Sequence, residues 1–394
     1  MLIVVIVIIM DEKTTKQYKL LFFGYPSDLI DYTGGFLWMK KVADYIEKSG
    51  LYLVEKIRIN QSTKITPYNI INNIRIIIKG LTRRPDIAIL DAWGESNIIL
   101  WLLFRVFKPR TKILIVFHHH EPRIPICRNI LEVFYNNLIQ KFTATMLKDS
   151  DIILTVSQAS KYELVSVYGI GVSYIDNSGN GLNLENKNYK KNEKRIVIVG
   201  TGVDDTVFQM LHDKDNINHK KEIDFLCIGR IEKFNGLEKI WSKIKSVRPN
   251  SKLVMAGRAT AETINRLSTI GIEHKGFISE EEKSKLYLKS KVFLFPSTRE
   301  GFGIAVAEAL YSDLPVIAWK LPVFEELYSK TYCHTKLKLI ELGEDGLFAD
   351  ECINALNRCD RKINKKENKK ISFIMPNWKT VGEKVITTID SLKY

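Results

Sequence analysis

Short apolar runs alternate with stretches of helical composition along the first half of this chain, and the alternation restarts after residue 221. The runs in the first half are Lys19–Phe23, Leu51–Ile59, Asp86–Leu90, Lys112–Phe117, Asp151–Val156 and Arg195–Val199. Candidate helices lie between them at about 35–49, 67–80, 95–107, 127–147 and 158–168. In the second half, Phe225–Ile228, Lys252–Met255, Val292–Phe295 and Pro315–Ala318 alternate with helices near 236–246, 260–269, 280–288 and 303–311. Strand-length apolar runs separated by helices predict parallel sheets buried on both faces, so the expected class is α/β.

The length, 394 residues, favours two to three domains' worth of core. The polar stretch Asp176–Lys194 reads as a surface loop, and a second, His212–Lys221, separates the halves. The expected division is an N-terminal domain over 1–207, a linker over 208–221, a C-terminal domain over 222–375 and a final segment over 376–394. Residues 360–370 read as a solvated basic stretch, and Trp378–Leu392 as an amphipathic closing helix.

Five scattered cysteines without a CxxC pair argue against a disulfide framework or a zinc site, and a reducing cytoplasm is the expected compartment. The net charge of +14 is spread along the chain, with 27 basic and 18 acidic residues in 1–200 against 32 and 27 in the remainder. No nucleic-acid recognition signature accompanies it, so dedicated nucleic-acid binding is not expected. Anionic lipid or a phosphorylated substrate suits a diffuse positive field, and so does plain solubility charge. No segment reaches the roughly 20 apolar residues of a membrane span. Residues 2–10 are apolar but lack the basic start and cleavage site of a signal peptide; an extra strand, an interfacial anchor and an upstream start codon all fit them. Residues 95–107 are apolar around nearly the whole helix, which fits a buried crossover helix or, with Arg105, Lys108, Arg110 and Lys112 at its end, an interfacial membrane patch.

The strongest chemical signal runs from Pro296 to Leu310. An apolar strand ends at Phe295, a turn with Gly301 and Gly303 follows, and a helix starts near Gly303. Such a turn offers backbone N–H groups and a positive helix terminus to a diphosphate. Glu300 and Glu308 flank it, and carboxylates accept hydrogen bonds from sugar hydroxyls. Taken alone, the pair equally fits one Glu serving the helix dipole and another on a solvated face. A second strand ends in Gly229-Arg230, whose guanidinium matches phosphate oxygens; an Arg paired with Glu232 is the structural alternative. His118, His119 and His120 follow the strand ending at Phe117, and His118 with His120 would share one side of an extended segment, as metal ligands do. Gly34-Gly35 follow the first core strand and read alone as a tight turn. Gly200-Thr201-Gly202 starts a dinucleotide fingerprint, but Asp205 stands where its third glycine belongs.

Together these motifs resemble retaining two-domain glycosyltransferases, most closely glycosyltransferase family 4 (glycosyl transferases group 1). Pro-Ser-x-x-Glu-Gly-Phe-Gly over Pro296–Gly303, with Glu308-Ala309 beyond, is similar to that family's E-x7-E motif. Leu253–Gly257, Gly276-Phe277 and Leu286-Tyr287 fall at the family's intervals. The resemblance implies a GT-B fold: two Rossmann-like domains facing a central cleft, the last helix packing back on the N-terminal one. It implies transfer of a sugar from a nucleoside-diphosphate sugar, with no cofactor and no metal. By position, Arg230 is a donor-phosphate residue, Glu300 orients the sugar, Glu308 the ribose, and His118 contacts sugar or phosphate. Gly34, Gly35, Gly301, Phe302 and Gly303 line the donor. Two positions depart from the family. Asn235 stands where a Lys is usual, so it donates a hydrogen bond but no charge, with Lys233 nearby as the substitute. Asp313 replaces a Gly, which predicts a differently shaped turn before Leu314-Pro315. The expected acceptor is a glycan or lipid-linked glycan, handled in the cytoplasm or peripherally at an anionic cytoplasmic membrane face. A non-catalytic scaffold of the same fold and a sugar-nucleotide epimerase are the alternatives.

Overall fold

The computed structural model describes residues 17–26, 34–59, 67–92, 95–119, 130–170, 195–203, 221–231, 234–329, 336–362 and 377–393. The polar loop 176–194, most of the expected linker, Lys233 and His120 lie outside the described residues, as do residues 1–16. Two compact units emerge among the described residues: one spans 117–128 and 154–385, the other 1–116, 129–153 and 386–394.

The first sheet contains β1 (Lys19–Pro26), β2 (Leu53–Ile59), β3 (Ile87–Asp91), β4 (Lys112–Phe117), β5 (Ile152–Thr155) and β6 (Ile196–Ile198), in the order β2-β1-β3-β4-β5-β6. Its pairings β1 with β2, β1 with β3 and β3 with β4 are parallel. The apolar runs form these strands because both faces are covered: Leu20–Phe23, Ile87–Leu90 and Ile113–Phe117 are buried throughout. The crossover helices are α1 (Gly34–Ser49), α2 (Pro67–Thr82), α3 (Glu95–Phe107), α4 (Ile130–Asp149) and α5 (Gln158–Tyr168). The step from β1 to β2 runs one way across the sheet, while those from β2 to β3, β3 to β4 and β4 to β5 run the other. Right-handed crossovers therefore put α1 on one face and α2, α3 and α4 on the opposite face.

The second sheet repeats the plan with β7 (Ile223–Ile228), β8 (Leu253–Ala256), β9 (Ile272–His274), β10 (Ser290–Phe295), β11 (Val316–Trp319) and β12 (Leu337–Ile340). Its order is β12-β11-β10-β7-β8-β9, all parallel. The helices are α6 (Leu237–Val247), α7 (Ala261–Thr269), α8 (Glu280–Lys289), α9 (Ile304–Tyr311), α10 (Pro322–Leu327), α11 (Asp345–Lys362) and α12 (Trp378–Asp390). One core cluster joins Phe225, Cys227, Trp241, Met255, Trp319, Phe348 and Cys352. Each of the larger side chains contributes about 1.5–3 kcal/mol by leaving water. Both buried thiols, Cys227 and Cys352, are held well above their ordinary pKa by burial and are chemically inert packing.

Four elements, β9, α10, β12 and α11, go beyond the sequence reading. The basic stretch expected to be solvated from residue 360 begins inside α11, where Asp360 binds Arg248 at 2.6 Å and Lys291 at 3.0 Å. The turn before Leu314-Pro315 keeps the left-handed geometry a Gly would supply: Asp313 has φ 62°, with Lys336 Nζ 2.7 Å from its carboxylate and 3.0 Å from its carbonyl. Short polar Asp tolerates that region. Gly202 serves packing instead of a dinucleotide, since a side chain there would overlap Trp378, while Val203 pairs with Asn377. At the end of the chain, Tyr52 donates to Asp390 at 2.5 Å, and the Lys393 ammonium lies 4.4 Å from the Tyr52 ring centre and 5.1 Å from that of Tyr18.

Candidate active site

The second sheet reverses direction between β7 and β10: β8 and β9 extend one way, β11 and β12 the other. Open α/β sheets bind ligands beyond the carboxyl ends of their strands at such a switch point. The two strongest motifs fall there. Gly229-Arg230 follow β7 directly, and the Pro296–Gly303 turn follows β10. The two loops are also joined, through an antiparallel bridge between Phe234 and Ser297 and a 3.0 Å bond from the Asn235 N–H to the Pro296 carbonyl. Arg230 is half-buried, and the Asn235 side chain is exposed while its carbonyl accepts from Trp319 Nε1 at 3.4 Å.

Inside the turn, the buried Ser297 hydroxyl lies 2.8 Å from Glu300 Oε1 and 3.2 Å from the Arg299 carbonyl, which fixes the half-buried Glu300 carboxylate. Gly301 is required by close approach: a Cβ would run into the His118 carbonyl oxygen. That carbonyl accepts a 2.5 Å bond from Ser160 Oγ, which also sits 3.5 Å from the Gly301 carbonyl. Ser160 thus ties the residue after β4 to the turn. Gly303 has φ 77° and would overlap Phe324 with any side chain, so only glycine opens α9 here. No side chain caps α9, whereas Ser157, Thr260 and Ser279 cap α5, α7 and α8. The first-turn N–H groups of α9 are therefore placed to take an anion. Helix α6 also opens on an uncapped glycine, Gly236, but Asp345 sits against it. Phe302 brings backbone to this turn; its ring is buried edge-on against Tyr328, whose hydroxyl donates to the Phe302 carbonyl at 3.0 Å.

Glu308 is buried, not on a solvated face. Its carboxylate takes Lys283 Nζ at 2.7 Å and the Tyr287 hydroxyl at 3.0 Å, both from α8. Burial raises the Glu308 pKa, and the Lys283 ammonium only partly offsets it. Burial opposes the charge on Lys283, yet Glu308 and Glu280 outweigh it and hold its pKa above the ordinary value. His118 is buried at the end of β4, and burial lowers its pKa to about 4, so the ring is neutral at pH 7. Gly34 and Gly35, expected in a loop, are the first two residues of α1, following β1 at the first sheet's own switch between β1 and β3. Among the described residues no group of three His, Cys, Asp or Glu could hold a metal ion.

Two side chains at this site stand outside the motifs, Ser160 and Lys283, and each acts on a motif residue from another element, a contact that no local spacing marks. Ser297 and Phe234 stand inside the motifs, but the Ser297 bond to Glu300 and the Phe234 bridge to Ser297 are seen only in the fold. Tyr287 stood at a family interval, but its bond to Glu308 is a property of the fold.

The fold and site together define a class. Residues 207–338 match the family model described as Glycosyl transferases group 1, and the two parallel sheets are those of the GT-B fold. Among particular proteins, the chain is similar to the O-antigen chain mannosyltransferase RfbU of Salmonella typhimurium, with 25% identity over 337 residues covering 79% of each chain. The sucrose-phosphate synthase of Thermosynechococcus elongatus shares the fold at a TM-score of 0.68 and 11% identity, covering 96% of this chain and 99% of that one. Anabaena HepE, solved in complex with UDP, does so at 0.61 and 13%, covering 95% and 100%.

Proposed function

We propose that this protein is a retaining glycosyltransferase that moves a hexosyl group from a nucleoside-diphosphate sugar to a lipid-linked glycan. The observation that carries the reading is the joined pair of loops at the switch point, with Arg230 on one and the Glu300-to-Gly303 turn on the other. The similarity to an O-antigen chain mannosyltransferase favours mannose as the sugar and a growing lipid-linked chain as the acceptor. The fold shared with a protein holding UDP supports a nucleotide donor.

In this reaction the bond from the anomeric carbon to the diphosphate oxygen breaks, its electron pair leaving with the diphosphate. A bond to the acceptor hydroxyl oxygen forms on the same face, and the hydroxyl proton passes to the departing phosphate. The chemical demand is to stabilise growing negative charge on the leaving group. Arg230 and the N-terminal N–H groups of α9 do so in a partly dehydrated crevice. Glu300, oriented by Ser297, accepts hydrogen bonds from sugar hydroxyls, Glu308 serves the ribose, and the neutral His118 ring donates or accepts without adding charge.

A donor screen tests this. Purified protein is incubated with UDP-, GDP- and ADP-sugars, GDP-mannose among them, with and without membrane lipid extract, and released nucleoside diphosphate and glycan product are measured. One donor should be used, and Arg230→Ala or Glu300→Gln should each lower kcat/KM about 10²–10³-fold. Nucleotide binding without release under any condition would leave a non-catalytic scaffold, with Asn235 as its cause. A product epimeric to the donor sugar would make it an epimerase.

A further inference from the structure

Among the described residues, the face of the first sheet that carries α2, α3 and α4 holds a concentration of exposed apolar side chains away from the motifs of the candidate site. Helix α3 packs between α2 and α4. Its Ile98, Trp101 and Phe104 are buried towards the sheet. Ile99, Leu102 and Val106 follow at helical spacing on the outside, and Val106 and Phe107 are 68% and 60% exposed. Ile74 and Ile78 continue this surface on α2, and Phe134, Leu138 and Phe142 on α4. Of the twenty-one large hydrophobic side chains exposed among the described residues, eleven lie on these three helices. Scattered exposed apolar residues are ordinary, but a concentration on adjacent helices marks a surface that is covered by something.

The rim of this surface is basic. Residues 67–112 carry eight Arg and Lys against three Asp and Glu. Past the end of α3, Lys108, Arg110 and Lys112 join Arg84, Tyr18 and Phe107 around a cavity of about 510 Å³ at the amino ends of β1, β3 and β4. Asp86 in that cavity accepts the Lys19 N–H at 2.9 Å, and Lys112 pairs with Asp151 at 3.3 Å. Arg105 is tied to Asp149 and sits beneath the surface as a brace. The cavity lies at the end of the sheet opposite to the one where Gly34 and His118 leave their strands.

We propose that the α2–α3–α4 face docks on an anionic lipid bilayer. Val106 and Phe107 enter the acyl boundary, while Lys108, Arg110 and Arg84 lie at the phosphate level. Apolar stripe and basic rim at one edge are what an interfacial helix needs. A second copy of this chain is a poorer occupant, because two chains of net charge +14 repel each other while an anionic surface attracts the rim. Among the described residues no helix is long and apolar enough to cross a membrane, so contact from this face is by surface seating. The choice of a bilayer over an acidic protein rests on the lipid-linked acceptor of the preceding section.

Co-sedimentation of the whole chain with phosphatidylcholine vesicles, with and without phosphatidylglycerol, tests the proposal. Binding should be about tenfold or more stronger on the anionic vesicles and should weaken as salt rises. Val106→Ser with Phe107→Ser, and separately Lys108→Glu with Arg110→Glu, should each weaken it about tenfold or more, while melting curves and nucleotide binding stay unchanged. Equal binding to both vesicle types, or binding that survives both double substitutions, would overturn it. So would self-association that is lost with the Val106 and Phe107 changes. Vesicle binding without nucleotide binding would sink the proposed donor chemistry and leave this surface standing; the reverse outcome would sink only the surface.

Discussion

At the scale of single residues, His118 is used twice. Its carbonyl is the wall that Gly301 packs against, anchored by Ser160, and its ring is kept neutral by burial. The second use has a pH signature. The folded ring titrates at about 4, against 6.5 for an unperturbed histidine, so between those values the unfolded chain binds the proton and the folded chain does not. Stability rises with pH wherever the unfolded state binds more protons. The contribution of His118 is therefore intact above about pH 6.5, shrinks as pH falls and is gone near pH 4, a total of about 3 kcal/mol. Urea unfolding of the wild type and His118→Asn at a series of pH values should show their difference narrowing across that window. A constant difference would mean that the ring is solvated or paired in the folded state.

At the scale of elements, α8 and α9 are clamped by Lys283, Tyr287 and Glu308. Glu308→Gln removes the charge opposite a buried ammonium that retains Glu280 at 2.6 Å, and should cost about 3–5 kcal/mol, measured by chemical denaturation. Lys283→Met combined with Glu308→Met should recover more than half of that loss, since an apolar pair leaves no stranded charge. If Glu308 also serves the ribose, the double variant recovers stability but not donor affinity. How much of this was legible follows from the same elements. The β10 strand, the turn and α9 could be read because an apolar run, two glycines and a helix lie consecutively in the chain. The burial of Glu308 could not, because its partners are one helix upstream and only the fold brings them within 3 Å. Helix α11 went unread because its apolar face is built partly of small residues, Ala349, Cys352 and Ala355, beside a conspicuous basic tail. Strand β9, three residues between Gly271 and Gly276, is too short to show a period. At Asp313 the chain takes a left-handed backbone conformation, which the identity of the residue alone does not announce.

At the scale of the whole molecule, the motifs proposed to hold the donor, Glu308 and His118 all belong to one compact unit, while Gly34 and Gly35 belong to the other. A ligand that binds only the folded state stabilises what it touches by about 2.7 kcal/mol at a hundredfold excess over Kd. Adding the preferred nucleotide should therefore slow amide hydrogen exchange at β7, β10 and the first turn of α9. Strands β1 and β2 should change far less. Uniform slowing across both sheets would show instead that the two units unfold as one.

The bridge between Phe234 and Ser297 has a consequence for how donor preference changes over time. It links the loop bearing Arg230, proposed to hold the phosphates, to the loop bearing Glu300, proposed to hold the sugar, so on that reading the spacing between the two works as a fixed caliper. Such a caliper measures the length common to all nucleoside-diphosphate sugars and is indifferent to base and sugar stereochemistry. New donors can then be adopted by changing side chains around the caliper without resetting its jaws.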